Sequence, residues 1–255
     1  MFKLWLGTGL LTSSGEKWRS RRKFLTPSFH FRILNDFIPT MNKHFRYLVE
    51  KLRQENGKPV DVVTHVQLAT LDVICETAMG VCINAQSSPE SKYVNCVMSV
   101  ADLMFNRFVD FTNWFDFIYF RREGGKKFMD TIRYIHAFTL DMIEQRKKFI
   151  IQQPNNNNDE SEMDDIHLSK KHKNRAFMDL LLKRHLDEMK EDGTSSFTLE
   201  DIREEVDTFL FEGFDTTSAA LMWTLHLLGN NPEVQEKAYE EIVAVLGEDT
   251  ETEIT

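Results

Sequence analysis

Glycine and proline are scarce in this 255-residue chain, eleven and six respectively. So few turn-formers exclude a sandwich or barrel of many short strands. Cysteine is scarcer still. Cys75, Cys82 and Cys96 are odd in number and lack metal-ligand spacing, so they imply no disulfide framework. No long uncharged apolar run is present either. The longest apolar region, Thr208 to Leu228, holds Glu212 and Asp215 in its interior, whereas a spanning helix wants about 20 nearly uncharged residues. The opening MFKLWLGTGLL is broken by Lys3, Gly7 and Gly9 and does not read as a signal peptide. Residues 17–23 are densely basic, but the net charge is −9, so nucleic acid is not an expected partner. What is abundant is core material: 42% of residues are hydrophobic and 20 are Phe, too many for wholesale disorder.

Apolar residues recur at spacings of three and four almost everywhere, which predicts a mainly α chain. Gly15 to Leu25 reads as a short basic helix broken by Pro27. Ile33 to Gln54 and Val62 to Met79 read as amphipathic helices, the second stopping at Gly80. Residues 91–109 are apolar on most sides, with Met104, Phe105 and Phe108 facing a core or a ligand. Gly124-Gly125 reads as punctuation before a long helix, Lys126 to Ile151. Residues 152–174, polar and low in complexity, predict a flexible surface loop. Arg175 to Met189 is a further helix. Thr198-Leu-Glu-Asp201 resembles a capping box opening a helix whose face runs through Leu199, Ile202, Val206, Phe209, Gly213, Thr216 and Ala220. Asn231-Pro232 ends that helix and begins a final one through Val245.

Two stretches can carry chemistry. In Phe211-Glu-Gly-Phe-Asp-Thr-Thr217, Glu212, Asp215 and Thr216 stand at i, i+3 and i+4 and share a helix face. Acids among phenylalanines are costly unless partnered or functional. Gly213, a poor helix residue, leaves room for a flat ligand against the backbone. The face reads either as a proton relay beside such a ligand or as a solvated polar stripe. In Gly15-Glu-Lys-Trp-Arg-Ser-Arg-Arg-Lys23, Trp18 and Arg22 are four apart. An indole N–H and a guanidinium on one side suit a carboxylate-bearing ligand.

Residues 6–29, from Leu-Gly-Thr-Gly to Thr-Pro-Ser-Phe, resemble the C-helix region of microsomal cytochromes P450. Glu-Gly-Phe-Asp-Thr-Thr, residues 212–217, resembles the central I-helix motif of the same family, and Asn231-Pro-Glu-Val-Gln-Glu236 follows in the family's order. The resemblance implies a partial cytochrome P450 fold, C-helix through J-helix region, over residues 1–255, with the β-sheet portions largely missing. It implies a haem cofactor whose propionate Trp18 and Arg22 hydrogen-bond. It implies that Asp215 and Thr216 are the acid–alcohol pair delivering protons to dioxygen, with Gly213 letting haem and oxygen lie against the helix. Glu212, where many relatives have alanine, points to the branch resembling fatty-acid ω-hydroxylases, in which this carboxylate can form an ester with a haem methyl. The implied reaction is NADPH-driven hydroxylation of a fatty acid or other lipophile, with electrons from NADPH-cytochrome P450 reductase. The implied location is the endoplasmic reticulum membrane. Lys17, Arg19, Arg21 and Lys23 read either as a docking surface for that reductase or as ordinary solvated charge.

The family's cysteine loop, Phe-x-x-Gly-x-Arg-x-Cys-x-Gly, matches none of the three cysteines. Leu71, Ala78 and Lys92 stand where its Gly would be, and all three cysteines precede the central motif. The chain therefore reads as a fragment cut at both ends, without an anchor or an axial ligand. The alternative is a non-catalytic helical fragment or interaction protein retaining part of the fold.

Overall fold

The computed structural model describes residues 2–152, 177–248 and 254. Among them the chain is helical and turns without strand. In order come α1 (Phe2–Leu6), α2 (Gly15–Leu25), a 3₁₀ turn (Thr26–Phe29), α3 (Phe31–Asn35), α4 (Ile38–Gln54), α5 (Val62–Thr77), α6 (Lys92–Val109), a 3₁₀ turn (Phe111–Trp114), α7 (Asp116–Tyr119), α8 (Glu123–Gln152), α9 (Phe177–Asp192), α10 (Leu199–Asn230) and α11 (Pro232–Leu246).

Most expected helices form, and three details differ for identifiable reasons. The stretch Ile33 to Gln54 is two helices rather than one. Pro39 stands in the first turn of α4, where its missing N–H costs nothing but cannot continue a preceding helix. Gly124 and Gly125 do not punctuate; they lie inside the first turn of α8. A Cβ at Gly125 would fall 2.1 Å from the Tyr119 carbonyl oxygen, so the glycine serves close approach of two backbones. The buried stripe of α10 runs through Ile202, Val206, Leu210 and Phe214, a straight i+4 row, and Thr216 and Ala220 lie outside it. Of the loop expected at 152–174, Gln152 is the last residue of α8 and the rest lies outside the described residues.

The chain divides into two compact units. The first comprises residues 1–29, 78–80 and 96–208, with α1 packed on α8 and α8 on α9. Its interior holds Leu6, Phe128, Ile132, Ile143, Met178 and Phe197. The second comprises residues 30–77, 81–95 and 209–255, with α4 packed on α5. Leu48, Val66 and Ala69 form its core, closed by Phe45, Leu52, Val62 and Leu221. Helix α11 buries nothing, and Trp223, Tyr239, Ile242 and Val245 are exposed. The α10 sequence crosses from the first unit to the second after Thr208.

Candidate functional site

Helix α10 opens as the capping pattern predicts. The Asp201 carboxylate accepts from the Thr198 N–H and hydroxyl, and the Thr198 hydroxyl accepts from the Asp201 N–H at 3.1 Å. Its next turns then bury charge on purpose-built partners. Asp207 accepts from the Arg203 guanidinium at 2.5 Å and the Thr139 hydroxyl at 2.8 Å. Burial pushes its carboxyl up to about 7 despite Arg203. Arg203 also reaches Glu200 and the Trp5 carbonyl. Glu205, wholly buried, pairs with Arg21 at 2.8 Å and accepts from the Leu10 N–H. Burial raises its pKa too.

The motif residues that follow differ. Phe214 is buried, Glu212, Gly213 and Asp215 are half-buried, and Thr216 is exposed. The Thr216 hydroxyl donates to the Glu212 carbonyl at 2.8 Å, and Ser218 donates to the Asp215 carbonyl at 2.8 Å. Among the described residues the Glu212 carboxylate has no hydrogen bond or ion pair. A Cβ at Gly213 would come within 2.7 Å of Ile74 Cδ1 and Cγ1, so on that side the glycine's space is taken by Ile74 of α5. The phenylalanines around the acids are divided: Phe214 turns inward, and Phe209 and Phe211 are half-buried.

Helix α2 belongs to the first unit. Trp18, 43% exposed, and Arg22 sit one turn apart on its open side. Neither the indole N–H nor the guanidinium has a partner among the described residues. The basic stretch is not uniform. Arg21 is 7% exposed, bidentate toward Asp201 and Glu205, and stacked at 4.5 Å over the Phe197 ring. It is therefore withdrawn from the docking surface expected of Lys17, Arg19, Arg21 and Lys23: a guanidinium spent on two carboxylates offers nothing to a partner. Lys17 faces Glu204 and Asp201, Arg19 pairs with Glu16, and Lys23 is exposed. The sequence reading missed the partners of Arg21. The complement of the basic run is the acids Asp201, Glu204 and Glu205, which lie about 180 residues away.

Trp18 and Arg22, donors one turn apart on α2 with no partner among the described residues, have the chemistry to hold a carboxylate such as a propionate. On α10 the Glu212 carboxylate likewise has no partner among the described residues. The cysteines are another matter. Cys75 is fully buried and its thiol is pushed well above the usual range by burial. Cys82 is exposed and also raised, by burial first and then by its hydrogen bond to Glu76. Among the described residues no cluster of three or more His, Cys, Asp or Glu could hold a metal. An open pocket of about 500 Å³, lined by Leu4, Phe120, Lys126, Met129, Asp130 and Arg133, includes none of the site residues.

Comparison with known proteins follows the same line. The family model described as Cytochrome P450 matches residues 1–255. The human protein Cytochrome P450 4V2 is 44% identical over 245 residues, covering 95% of this chain and 45% of that protein. Cytochrome P450 4c3 of Drosophila melanogaster is 45% identical over 255 residues, covering 98% and 46%. A solved structure, the cytochrome P450DA heme domain, superposes with a TM-score of 0.71 at 21% identity, over 98% of this chain and 48% of that one, and so shares the fold. The chain spans about half the length of the curated relatives it matches.

Proposed function

The chain belongs to the cytochrome P450 family, whose cofactor is an iron haem, and on that premise we propose that it supplies the haem-edge and proton-handling helices of a monooxygenase acting on a fatty acid or similar lipophile. Bound haem would supply the redox chemistry by which one oxygen atom of dioxygen enters a C–H bond and the other leaves as water, with two electrons and two protons. The chain's own residues do the rest. Trp18 and Arg22 bind and orient a propionate through the indole N–H and the guanidinium. Asp215 holds a proton and Thr216 Oγ1 passes it on. The hydroxyl is exposed and rests on the Glu212 carbonyl, a bond it can give up by rotating. Electrons reach the protein from NADPH through a reductase, for which Lys23 and the exposed Lys17 and Arg19, beside their carboxylate partners, are the basic surface. A place at the endoplasmic reticulum membrane fits the exposed Phe105, Phe108, Phe111, Trp114, Phe115 and Phe117, followed by Arg121, Arg122, Lys126 and Lys127. Among the described residues no helix is long and apolar enough to cross a membrane.

The observation that carries this reading is selective satisfaction. The buried charges of α10 are matched, whereas Trp18, Arg22 and Glu212 have no side-chain partner among the described residues. The reading requires a cysteine ligand outside these residues, and sequencing the transcript through and past Thr255 tests it. A frame continuing into a cysteine-bearing haem loop supports the proposal; a stop codon after Thr255 in every transcript overturns it. Acid extraction tests the ester that the resemblance implies at Glu212. Haem retained by the wild type and released from Glu212→Ala supports it, and equal release from both rejects it.

A further inference from the structure

The acid–alcohol segment is gripped from outside its own helix. Thr70 of α5 is 3% exposed, and its hydroxyl oxygen lies 3.1 Å from the Phe214 carbonyl oxygen of α10. The same oxygen is 3.1 Å from the Val66 and Gln67 carbonyls of its own helix, so the hydroxyl proton has a local alternative. One turn further along α5, Ile74 fills the notch above Gly213. The two contacts act on consecutive residues, Gly213 and Phe214, immediately before Asp215 and Thr216.

That placement matters because helix geometry couples axial and angular position. Each residue advances about 1.5 Å and turns about 100°, so a slip of one residue would swing Asp215 and Thr216 off their face. Three carbonyls in this turn receive an extra hydroxyl: Glu212 from Thr216, Asp215 from Ser218, and Phe214 from Thr70. The first two donors ride on α10 and move with it. Thr70, by contrast, belongs to α5 and can register the turn against something fixed. We infer that Thr70 is a positioning residue for the Asp215–Thr216 pair, acting through its hydrogen bond to the Phe214 carbonyl with Ile74 seated on Gly213 as the second point of the grip. The inference rests on the proposed proton-handling role of that pair. It adds a residue that neither the motif nor the helix carrying it contains.

The test uses the haem-loaded protein expressed from its full transcript, comparing wild type with Thr70→Val, which keeps the shape and deletes the donor, and Thr70→Ser, which keeps the donor. Two quantities are read: amide hydrogen exchange across residues 213–218, and product formed per NADPH consumed. Thr70→Val should speed exchange in that turn about five- to tenfold, the equivalent of one net hydrogen bond. It should lower the product ratio about twofold, with electrons lost to peroxide. Thr70→Ser should restore both. Faster exchange with an unchanged ratio would overturn the inference, leaving Thr70 a structural tie; so would unchanged exchange. Should Thr70→Val not fold, Thr70→Ala against Thr70→Ser repeats the comparison at smaller volume. Failure of the underlying proton-relay reading shows separately, as an unchanged product ratio in Thr216→Ala.

Discussion

Between Leu199 and Thr208, α10 buries Arg203, Glu205 and Asp207, and each is matched: Arg203 with Asp207 and Glu200, Glu205 with Arg21, Asp207 also with Thr139. Between Phe209 and Thr217 the same helix carries Glu212, without a side-chain partner among the described residues, and Thr216, whose hydroxyl donates to the Glu212 carbonyl one turn back. Both stretches carry acids and threonine, but the states of those groups differ. A buried charge that finds its full complement is holding helices together. A half-buried carboxylate left over among well-matched neighbours is available for something else. The contrast separates, within a single helix, charges that hold the fold together from a carboxylate the described residues leave unmatched.

The contrast is broken most severely by removing Arg203. Arg203→Ala strands a buried Asp207 carboxylate and should cost about 3–5 kcal/mol of stability, read as the shift in a urea unfolding midpoint. Replacing Arg203 and Asp207 together by Met and Leu should recover most of that loss, because an apolar pair needs no complement. A comparable loss from Glu212→Ala would erase the distinction between the two stretches.

The next effect is a pH dependence. The folded-state pKa of Asp207, about 7, lies above its ordinary 3.8, so folding favours the protonated form. The stability it contributes is full below about pH 4 and is lost as pH rises through 7. Glu205 shifts in the same direction. His136, 3.7 Å from Asp207 and pushed below 6.5 first by burial and then by Arg203, acts oppositely, favouring the folded state as pH rises toward 6.5. Glu188, held down at about 2 by Arg184, Ser195 and Ser196, loses its contribution only as pH falls below its ordinary 4.5 toward 2. The Asp207 part is isolated by subtracting the unfolding curves of Asp207→Asn from those of the wild type between pH 4 and 8. The difference should fall with rising pH; a flat difference would remove the buried carboxylate from the balance.

These partners explain how far the sequence could be read. The helices were legible because their apolar spacing is local, and so was the Thr198–Asp201 cap, whose atoms lie three residues apart. Glu212, Asp215 and Thr216 drew attention as a proposed site because their spacing is local. Arg21 was misassigned because its carboxylates lie about 180 residues away, and nothing within the basic run distinguishes it from Arg19 or Lys23. Gly213 shows the same limit. Its small size was evident, but not that Ile74, on another helix, occupies the space it leaves.

Gly213 also yields a smaller effect. Alanine there gains about 1 kcal/mol of helix propensity but drives its Cβ to 2.7 Å from Ile74. Overpacking of about 1–3 kcal/mol should outweigh the gain. In an Ile74→Ala background the nearest Ile74 atom left is Cβ, at 3.4 Å, and Gly213→Ala should become stabilising. The double-mutant cycle should return a coupling of about 1–2 kcal/mol. A coupling near zero would mean that the glycine is there for another reason.

The smallest effects on stability belong to the residues proposed to carry the chemistry. Thr216 is exposed, and its hydroxyl bonds a carbonyl on its own helix, where water can take its place. Valine keeps the β-branched shape at nearly equal helix propensity, so Thr216→Val should change stability by less than about 0.5 kcal/mol. Glu212→Gln should do the same, since no guanidinium or ammonium among the described residues depends on that carboxylate. Near-neutral stability with altered turnover in the complete protein would show that the fold does not need these groups and the site does. A loss above about 1 kcal/mol from either would place them with Arg203 and Asp207, as parts of the architecture.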